Sequence, residues 1–260
     1  MSLWLLIFLL AVVAVAAMTF AWALVLRTGN SGWTDAVWSA TVGLVGVIAV
    51  LMPLEGEGPG ARALLVGALV AFWSVRLASH IARRTLAGAD DPRYAQLRKE
   101  WGEAAYPRQL FIFLQIQAGA AFILAIALLA AAHNPAPLGL GDLLGVVIAV
   151  VAILGEALAD RQLRLFKANP ANKGSVCNTG LWSLSRHPNY FFEWLFWLAF
   201  VPIGLGYGWG AVALGAPLMM YALLAHISGV PPLEAHMLRS RGDAYRAYQK
   251  QVRPFWPIPK

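Results

Sequence analysis

Leu3 to Leu26 reads LWLLIFLLAVVAVAAMTFAWALVL, an apolar run without a single charge. A spanning helix needs about 20 such residues to cross a ~30 Å hydrocarbon core, so this stretch predicts a transmembrane helix. It is longer than the 7–15-residue apolar region of a signal peptide, and no basic residue precedes it, so it is expected to be retained. Comparable runs recur at 33–52, 61–79, 109–132, 138–158, 190–206 and 207–227. Hydrophobic residues make up 59% of the chain and charged residues 13%, with a mean hydropathy of +0.62. That balance lies outside the soluble range. The expected architecture is an all-α integral membrane protein of seven transmembrane helices, built as a single domain over 1–260. The last two spans are separated only by a glycine-rich turn holding Gly204, Gly206, Gly208 and Gly210, with no charge to mark it.

Basic residues in short loops mark the cytoplasmic side. Placing 27–32, 80–108, 159–188 and 228–260 on one side gathers 18 of the 20 basic residues there, leaving out only Arg62 and Arg76. The N-terminus is then outside and the C-terminal tail cytoplasmic. The opposite loops carry the acids Glu55 and Glu57. The net charge of +7 is largely this topology signal plus attraction to anionic lipid, and does not argue for nucleic acid. One cysteine, Cys177, excludes an intramolecular disulfide and a cysteine metal cluster.

Working outward from the spans, the stretch Leu181 to Trp194 places Arg186, His187, Asn189 and Glu193 at the mouth of an apolar helix, where polar groups are costly and so point to function. Pro188 suits a first helical turn, leaving orphan N–H donors and a positive dipole end that favours an anion. Asn189 and Glu193 are four apart and share one helical face. The plain alternative for Glu193 is a buried ion pair holding two helices together. Asp35, Arg76, Asp160, Asn189, Glu193 and His226 all fall at the cytoplasmic ends of their predicted spans. That coincidence suggests a polar pocket opening to the cytoplasm, against the alternative of independent interfacial residues reaching for water.

Two long segments, 80–108 and 160–188, exceed the usual loop length and carry interspersed aromatics and both charge signs. The tail from Glu234 to Tyr248 reads as a polar helix, either interfacial or a lid on a cofactor. No GxGxxG, GxxxxGK[ST] or HExxH is present, so neither a Rossmann fold, a P-loop nor a metal site is expected. Arg and Lys in both long segments would suit phosphates.

Asp160, Lys167, Asn189-Tyr190, Glu193 and the interval from Tyr245 to Pro254 resemble, in order and spacing, the C-terminal half of the membrane steroid 5α-reductase superfamily. Asp35-Ala-Val-Trp38, Trp73-Ser-Val-Arg76 and Asp90-Asp-Pro-Arg-Tyr94 are similar to its bacterial uncharacterised branch. The resemblance implies an NADPH-dependent oxidoreductase acting on a conjugated C=C of a lipophilic carbonyl substrate, steroid-like or isoprenoid-like. It implies a bacterial cytoplasmic membrane with the active site facing inward, and a monomer. Helices 1–4 would enclose the apolar substrate cavity, and helices 5–7 with the loops and tail would hold the nucleotide. Carried over by position, the cofactor set is Asp160, Asn189 and Glu193, with Arg76, Arg93, Arg164 and Lys167 toward phosphate or ribose, and Tyr94, Arg186, His187, Tyr190 and Tyr245 completing it.

The chain departs from the steroid reductases in lacking a Gln-Glu pair in helix two and in having Trp73 where helix three would carry a Tyr. Asp35, beside Trp38, is then the expected proton donor if burial keeps it protonated, with His80 next; an N-cap of helix two is its alternative role. The Arg-His-Pro-x-Tyr element also resembles the isoprenylcysteine carboxyl methyltransferases, which bind S-adenosylmethionine. Those usually have Gly after Tyr and two tail glutamates, where this chain has Phe191 and the single Glu234. A non-catalytic lipid-binding membrane protein is the third reading.

Overall fold

The computed structural model describes residues 1–54, 58–88 and 91–260, with Pro92 described by its backbone alone. Glu55, Glu57 and Asp90, each used in the sequence reading, lie outside the described residues. The chain is helical, with no strand among the described residues. Among the described residues, six helices are long and apolar enough to cross a membrane. Five of them match the first five apolar runs: α1 (Leu3–Thr28), α2 (Trp33–Leu51), α3 (Ala61–Leu86), α5 (Tyr106–Ala132) and α6 (Leu140–Ala168). The sixth is the composite stretch Gly210–Gln251. The run 190–206, expected as a span of its own, is instead divided between α7 (Pro188–Leu198) and α8 (Phe200–Gly204) and is not among the six.

The chain packs as two compact units. The first comprises Met1–Asp142 with Phe200–Ala216, and the second Leu143–Ala199 with Pro217–Lys260. In the first unit α1 buries Leu6, Leu10, Ala14, Met18, Ala21 and Val25, one stripe at helical spacing, while Trp4, Phe8 and Phe20 face outward. Outward apolar side chains are what lipid-facing helices require. The α2–α3 packing uses small residues for close approach, as membrane helices do. A Cβ on Gly43 would lie 2.0 Å from Ser74 Oγ, and that hydroxyl donates to Ser39 O at 2.9 Å. Between α3 and α5 lies α4 (Pro92–Trp101), a polar helix started by Asp91, whose side chain accepts from Arg93 N.

Arg62, at the start of α3, is 6% exposed. Its Nε donates to Asp142 Oδ1 at 2.7 Å and its Nη2 to Asp142 Oδ2 at 2.8 Å and Pro137 O at 3.0 Å. Its Nη1 donates to Ala136 O at 2.7 Å and to Asn134 O. Asn134 Nδ2 in turn donates to Ile203 O and Leu205 O, both at 3.3 Å. One guanidinium thus gathers the turn between α5 and α6, and the side chain of that turn holds the end of α8.

In the second unit, Trp182 Nε1 donates to Ala159 O at 3.0 Å and Leu181 N to Gln162 Oε1 at 2.9 Å, fastening the 180–183 turn to α6. Phe191, Trp194, Tyr221, Phe255 and Trp256 form an aromatic cluster with centroids 5.2–6.3 Å apart. The tail helix α10 (Val230–Gln251) is broken at Gly242, with φ 52° and ψ −122°. In an unbroken helix Glu234 and Gln249 would stand ~22 Å apart at 1.5 Å per residue. Gln249 Nε2 nonetheless donates to Glu234 Oε2 at 2.8 Å. The helix therefore folds back at Gly242 into two arms, and that reversal closes the site described next.

A side chain at 242 would sit at a positive φ whose ψ lies outside even the left-handed region, although a Cβ there meets nothing within 4 Å. Gly242→Ala is therefore expected to cost ~1–3 kcal/mol by conformation alone, read as a fall in the thermal midpoint in detergent. Gly208→Ala, also in open space and without the positive φ, serves as control. Equal midpoints for the two variants would contradict the fold-back.

Candidate functional site

Pro188 begins α7, as its missing N–H and fixed φ favour, and the residues before it are held by the tail. Arg186 N donates to Arg253 O at 2.9 Å, Ser185 Oγ to Phe255 O at 2.9 Å, and His187 N to Ser185 Oγ at 3.1 Å. The Arg186 side chain bridges both arms of α10: Nε donates to Glu234 Oε1 at 2.6 Å, and Nη1 to Val252 O at 2.5 Å and Gln249 O at 3.3 Å. His187 Nε2 lies 3.2 Å from the same Glu234 oxygen, and the imidazole stacks on Tyr190 at 5.6 Å and 15°. Beneath this cradle Tyr245, Tyr248 and Val252 form a small core, and Tyr248 Oη donates to Trp182 O.

Burial lowers the His187 pKa below its ordinary 6.5 and Arg186 adds to this, while the hydrogen bond and charge of Glu234 oppose it. The folded state therefore takes up a proton less readily than the unfolded chain, and the difference favours folding only while His187 is neutral in both states. Thermal stability is expected to hold above pH ~6.5 and to fall as pH drops below it toward the lower folded-state value. His187→Gln should flatten this decline in a pH series of melting curves. An unchanged slope in the variant would assign the decline to another group.

On α6, Asp160, Arg164 and Lys167 are spaced i, i+4 and i+7, and so share a face of the helix. Asn189 Nδ2 lies 3.5 Å from Asp160 Oδ1, at the limit of a hydrogen bond. Glu193, 7% exposed, accepts from Trp197 Nε1 at 2.9 Å within α7. This indole contact gives the Glu193 carboxylate a donor one turn on.

The first unit holds a second polar cluster. Arg93 donates to Asp35 Oδ2 and, at 2.9–3.0 Å, to both oxygens of Asp91, which Arg84 meets at 3.3 Å. Tyr94 Oη donates to Asp35 Oδ1 at 2.7 Å and accepts from Gln117 Nε2 at 3.3 Å. Trp38 Nε1 donates to Gln117 O at 3.1 Å. Burial pushes the Asp91 carboxyl up, but the hydrogen bonds and charge of Arg93, with the charge of Arg84, outweigh it and hold its pKa below the ordinary value. Burial, with the Asp35 charge, raises the Tyr94 phenol well above its ordinary value, so it stays neutral. In this arrangement both Asp35 oxygens accept hydrogen bonds, one from Arg93 and one from Tyr94. Asp35 is not the cap of α2, because Gly32 holds that position without a side-chain bond.

Residues 21–252 match the family described as protein of unknown function DUF1295. The chain belongs to the DUF1295 family. The family is associated with steroid 5α-reductase-like membrane proteins. This DUF1295 chain is 27% identical to an uncharacterised protein of Schizosaccharomyces pombe over 271 aligned residues, covering 88% of this chain and 76% of the relative. It is also 41% identical to a probable O-methyltransferase of Ustilaginoidea virens over 66 residues, 25% of this chain and 23% of that protein. No solved structure matches.

The residues singled out in the sequence divide between the units. Asp35, Trp38, Arg76, His80, Arg93 and Tyr94 belong to the first, while Asp160, Arg164, Lys167, Arg186, His187, Asn189, Tyr190, Glu193 and Tyr245 belong to the second. The DUF1295 fold brings together Asp35 with Arg93 and Tyr94, Asp160 with Asn189, and Arg186 with His187. His80 and His226 are exposed, the latter edge-on to Tyr221 at 5.2 Å. Sequence reasoning missed Gln117 and Gln249, and gave Glu234 no partner. Gly242 inside a polar helical pattern was the available signal for the fold-back that joins the last two.

Proposed function

We propose that this protein is an NADPH-dependent membrane reductase that transfers a hydride to the conjugated C=C of a lipophilic carbonyl substrate. The observation that carries this reading is the α6 face on which Asp160, paired with Asn189, is followed by Arg164 and Lys167. Those positions extend ~10 Å along the helix. A carboxylate and an amide suit ribose hydroxyls and a carboxamide, and the two cations suit phosphate. The chain thus offers a carboxylate and two cations in order along α6, with the Asn189 amide of α7 beside the carboxylate, a set that suits a phosphorylated nicotinamide nucleotide. The reduced nicotinamide supplies the hydride when bound. The Arg186–Glu234 clamp fixes the start of α7 and so the position of Asn189, while the apolar helices of the first unit suit a lipid-like substrate.

Titration of NADPH and NADH against the purified chain in mild detergent tests this. Binding of NADPH is expected, with Arg164→Ala and Lys167→Ala weakening NADPH more than NADH, and Asn189→Ala weakening both by ~1–3 kcal/mol. Absence of nucleotide binding in the wild-type chain would overturn the reading.

A second reading has its own support: the local likeness to a probable O-methyltransferase, together with Glu234 on Arg186 and His187 of the Arg-His-Pro-x-Tyr element. Under it the cradle binds S-adenosylmethionine and the reaction is methyl transfer. Saturable S-adenosylmethionine binding without NADPH binding selects this alternative.

A further inference from the structure

In the first unit, a groove of about 450 Å³ runs along α2, with α1 and α3 as its walls. Its floor includes Trp33, Val37, Ala40 and Leu44, one face of α2 at alternating four- and three-residue spacing. From Trp33 to Leu44 the floor is ~16 Å long at 1.5 Å per residue, close to half of a ~30 Å hydrocarbon core. The groove therefore has the depth of one leaflet. Its walls are cut back to methyl groups at Ala17, Ala78 and Ala82. Phe20 and Leu44 stand 61% and 50% exposed, so the groove opens outward rather than into the helical core.

One end of the groove is basic. Arg27 lies seven residues beyond Phe20 on α1, and Arg83 four beyond Ser79 on α3, so each continues the face that lines the groove. Asn30 Nδ2 donates to Thr85 O at 3.2 Å, tying the α1–α2 turn to the end of α3. Arg27, Arg83 and Trp33 therefore share that end. Both arginines are exposed, and neither guanidinium makes an ion pair among the described residues. Arg84 beside them is engaged by Asp91. Among the described residues no carboxylate lines the groove, and the acid on α2, Asp35, is turned to Arg93 and Tyr94. A Trp at this level matches the headgroup position that its amphipathic ring prefers.

We propose that this groove binds an anionic membrane phospholipid, one chain lying along α2 between α1 and α3 and the headgroup phosphate met by Arg27 and Arg83. An apolar trough of leaflet depth, closed at one end by two cations and an indole, complements a chain joined to an anion. It complements a zwitterionic lipid less well, because choline brings a positive charge to the same two arginines. The site is independent of the nucleotide reading and stands or falls separately from it.

The full chain is reconstituted in bilayers of equal phosphatidylglycerol and phosphatidylcholine, extracted in mild detergent and examined by native mass spectrometry. Phosphatidylglycerol is expected to be retained over phosphatidylcholine by roughly thirtyfold, the product of two arginine contacts at an anionic surface. Arg27→Gln/Arg83→Gln should bring the ratio near one while lipid is still retained. Ala40→Leu/Ala78→Leu should reduce retention of both lipids with helix content unchanged. Should that variant fail to fold, phosphatidylglycerol with a photoreactive chain is crosslinked to the wild-type protein, and the label is expected on α2 between Trp33 and Leu44. Equal retention of the two lipids by the wild type, full retention after the groove is filled, or a label confined elsewhere overturns the proposal.

Discussion

Arg62→Met is expected to destabilise the protein by ~3–5 kcal/mol, because it leaves the buried Asp142 carboxylate without its cation. The fork at Arg62 contacts both oxygens of Asp142 and the carbonyls of Asn134, Ala136 and Pro137. Lysine would keep the charge but has no planar fork to match carboxylate and carbonyls together, so Arg62→Lys should recover only part of the loss. Arg62→Met/Asp142→Leu removes both charges and should lie closer to wild type than the single variant, as replaced buried pairs often do. Thermal melts of the three variants in one detergent decide the matter. A double variant no more stable than Arg62→Met would show that the carbonyl contacts, rather than the orphaned carboxylate, dominate.

Arg186→Ala should have a comparable effect on the second unit, ~3 kcal/mol or more, because a single side chain holds Glu234 on one arm of α10 and the carbonyls of Gln249 and Val252 on the other. Its functional consequence is expected to exceed its effect on stability. With the clamp gone, the start of α7 loses its attachment to the tail, and on the proposed reading NADPH should lose affinity even at temperatures where the helices persist. Intrinsic fluorescence provides the structural readout, since Trp194 and Trp256 pack edge-on at 5.2 Å and should become more exposed when the tail loosens. Wild-type NADPH affinity in a folded Arg186→Ala protein would remove this residue from the proposed site.

Hydropathy located five of the six candidate spans to within a few residues at their N-terminal ends, because a window of ~20 apolar side chains admits no other stable arrangement in lipid. Their C-terminal ends were less legible. α3 continues to Leu86 and α6 to Ala168, past the points where charge begins, since a helix needs only its own backbone bonds once it leaves the apolar layer. The same limit made 92–101 read as loop, although Asp91 and Pro92 form a recognisable helix start. The run 190–206 looked like one span because hydropathy is blind to the break between Leu198 and Phe200.

At the candidate site, the Arg-His-Pro element and Asn189 were legible as a polar helix mouth. Their partners were not, because Glu234 lies 47 and 48 residues from His187 and Arg186, and no local pattern specifies such a pairing. The Asp35 network was half visible. Asp35, Trp38, Arg93 and Tyr94 were singled out, but Gln117, which bonds both Tyr94 and Trp38, was not, and the pairing of all of them depends on the fold.

The fold-back at Gly242 also makes a protease-accessible joint. Arg239 and Arg241 are exposed immediately before the break, so trypsin should cut there before it reaches the apolar helices α1, α2, α3, α5 and α6. Because Arg186 grips both arms, the nick would leave the pieces fastened through Glu234 on one side and through Gln249 and Val252 on the other. The cleaved protein should migrate intact under native conditions and come apart only in denaturant, with the clamp acting as a splice across the severed backbone.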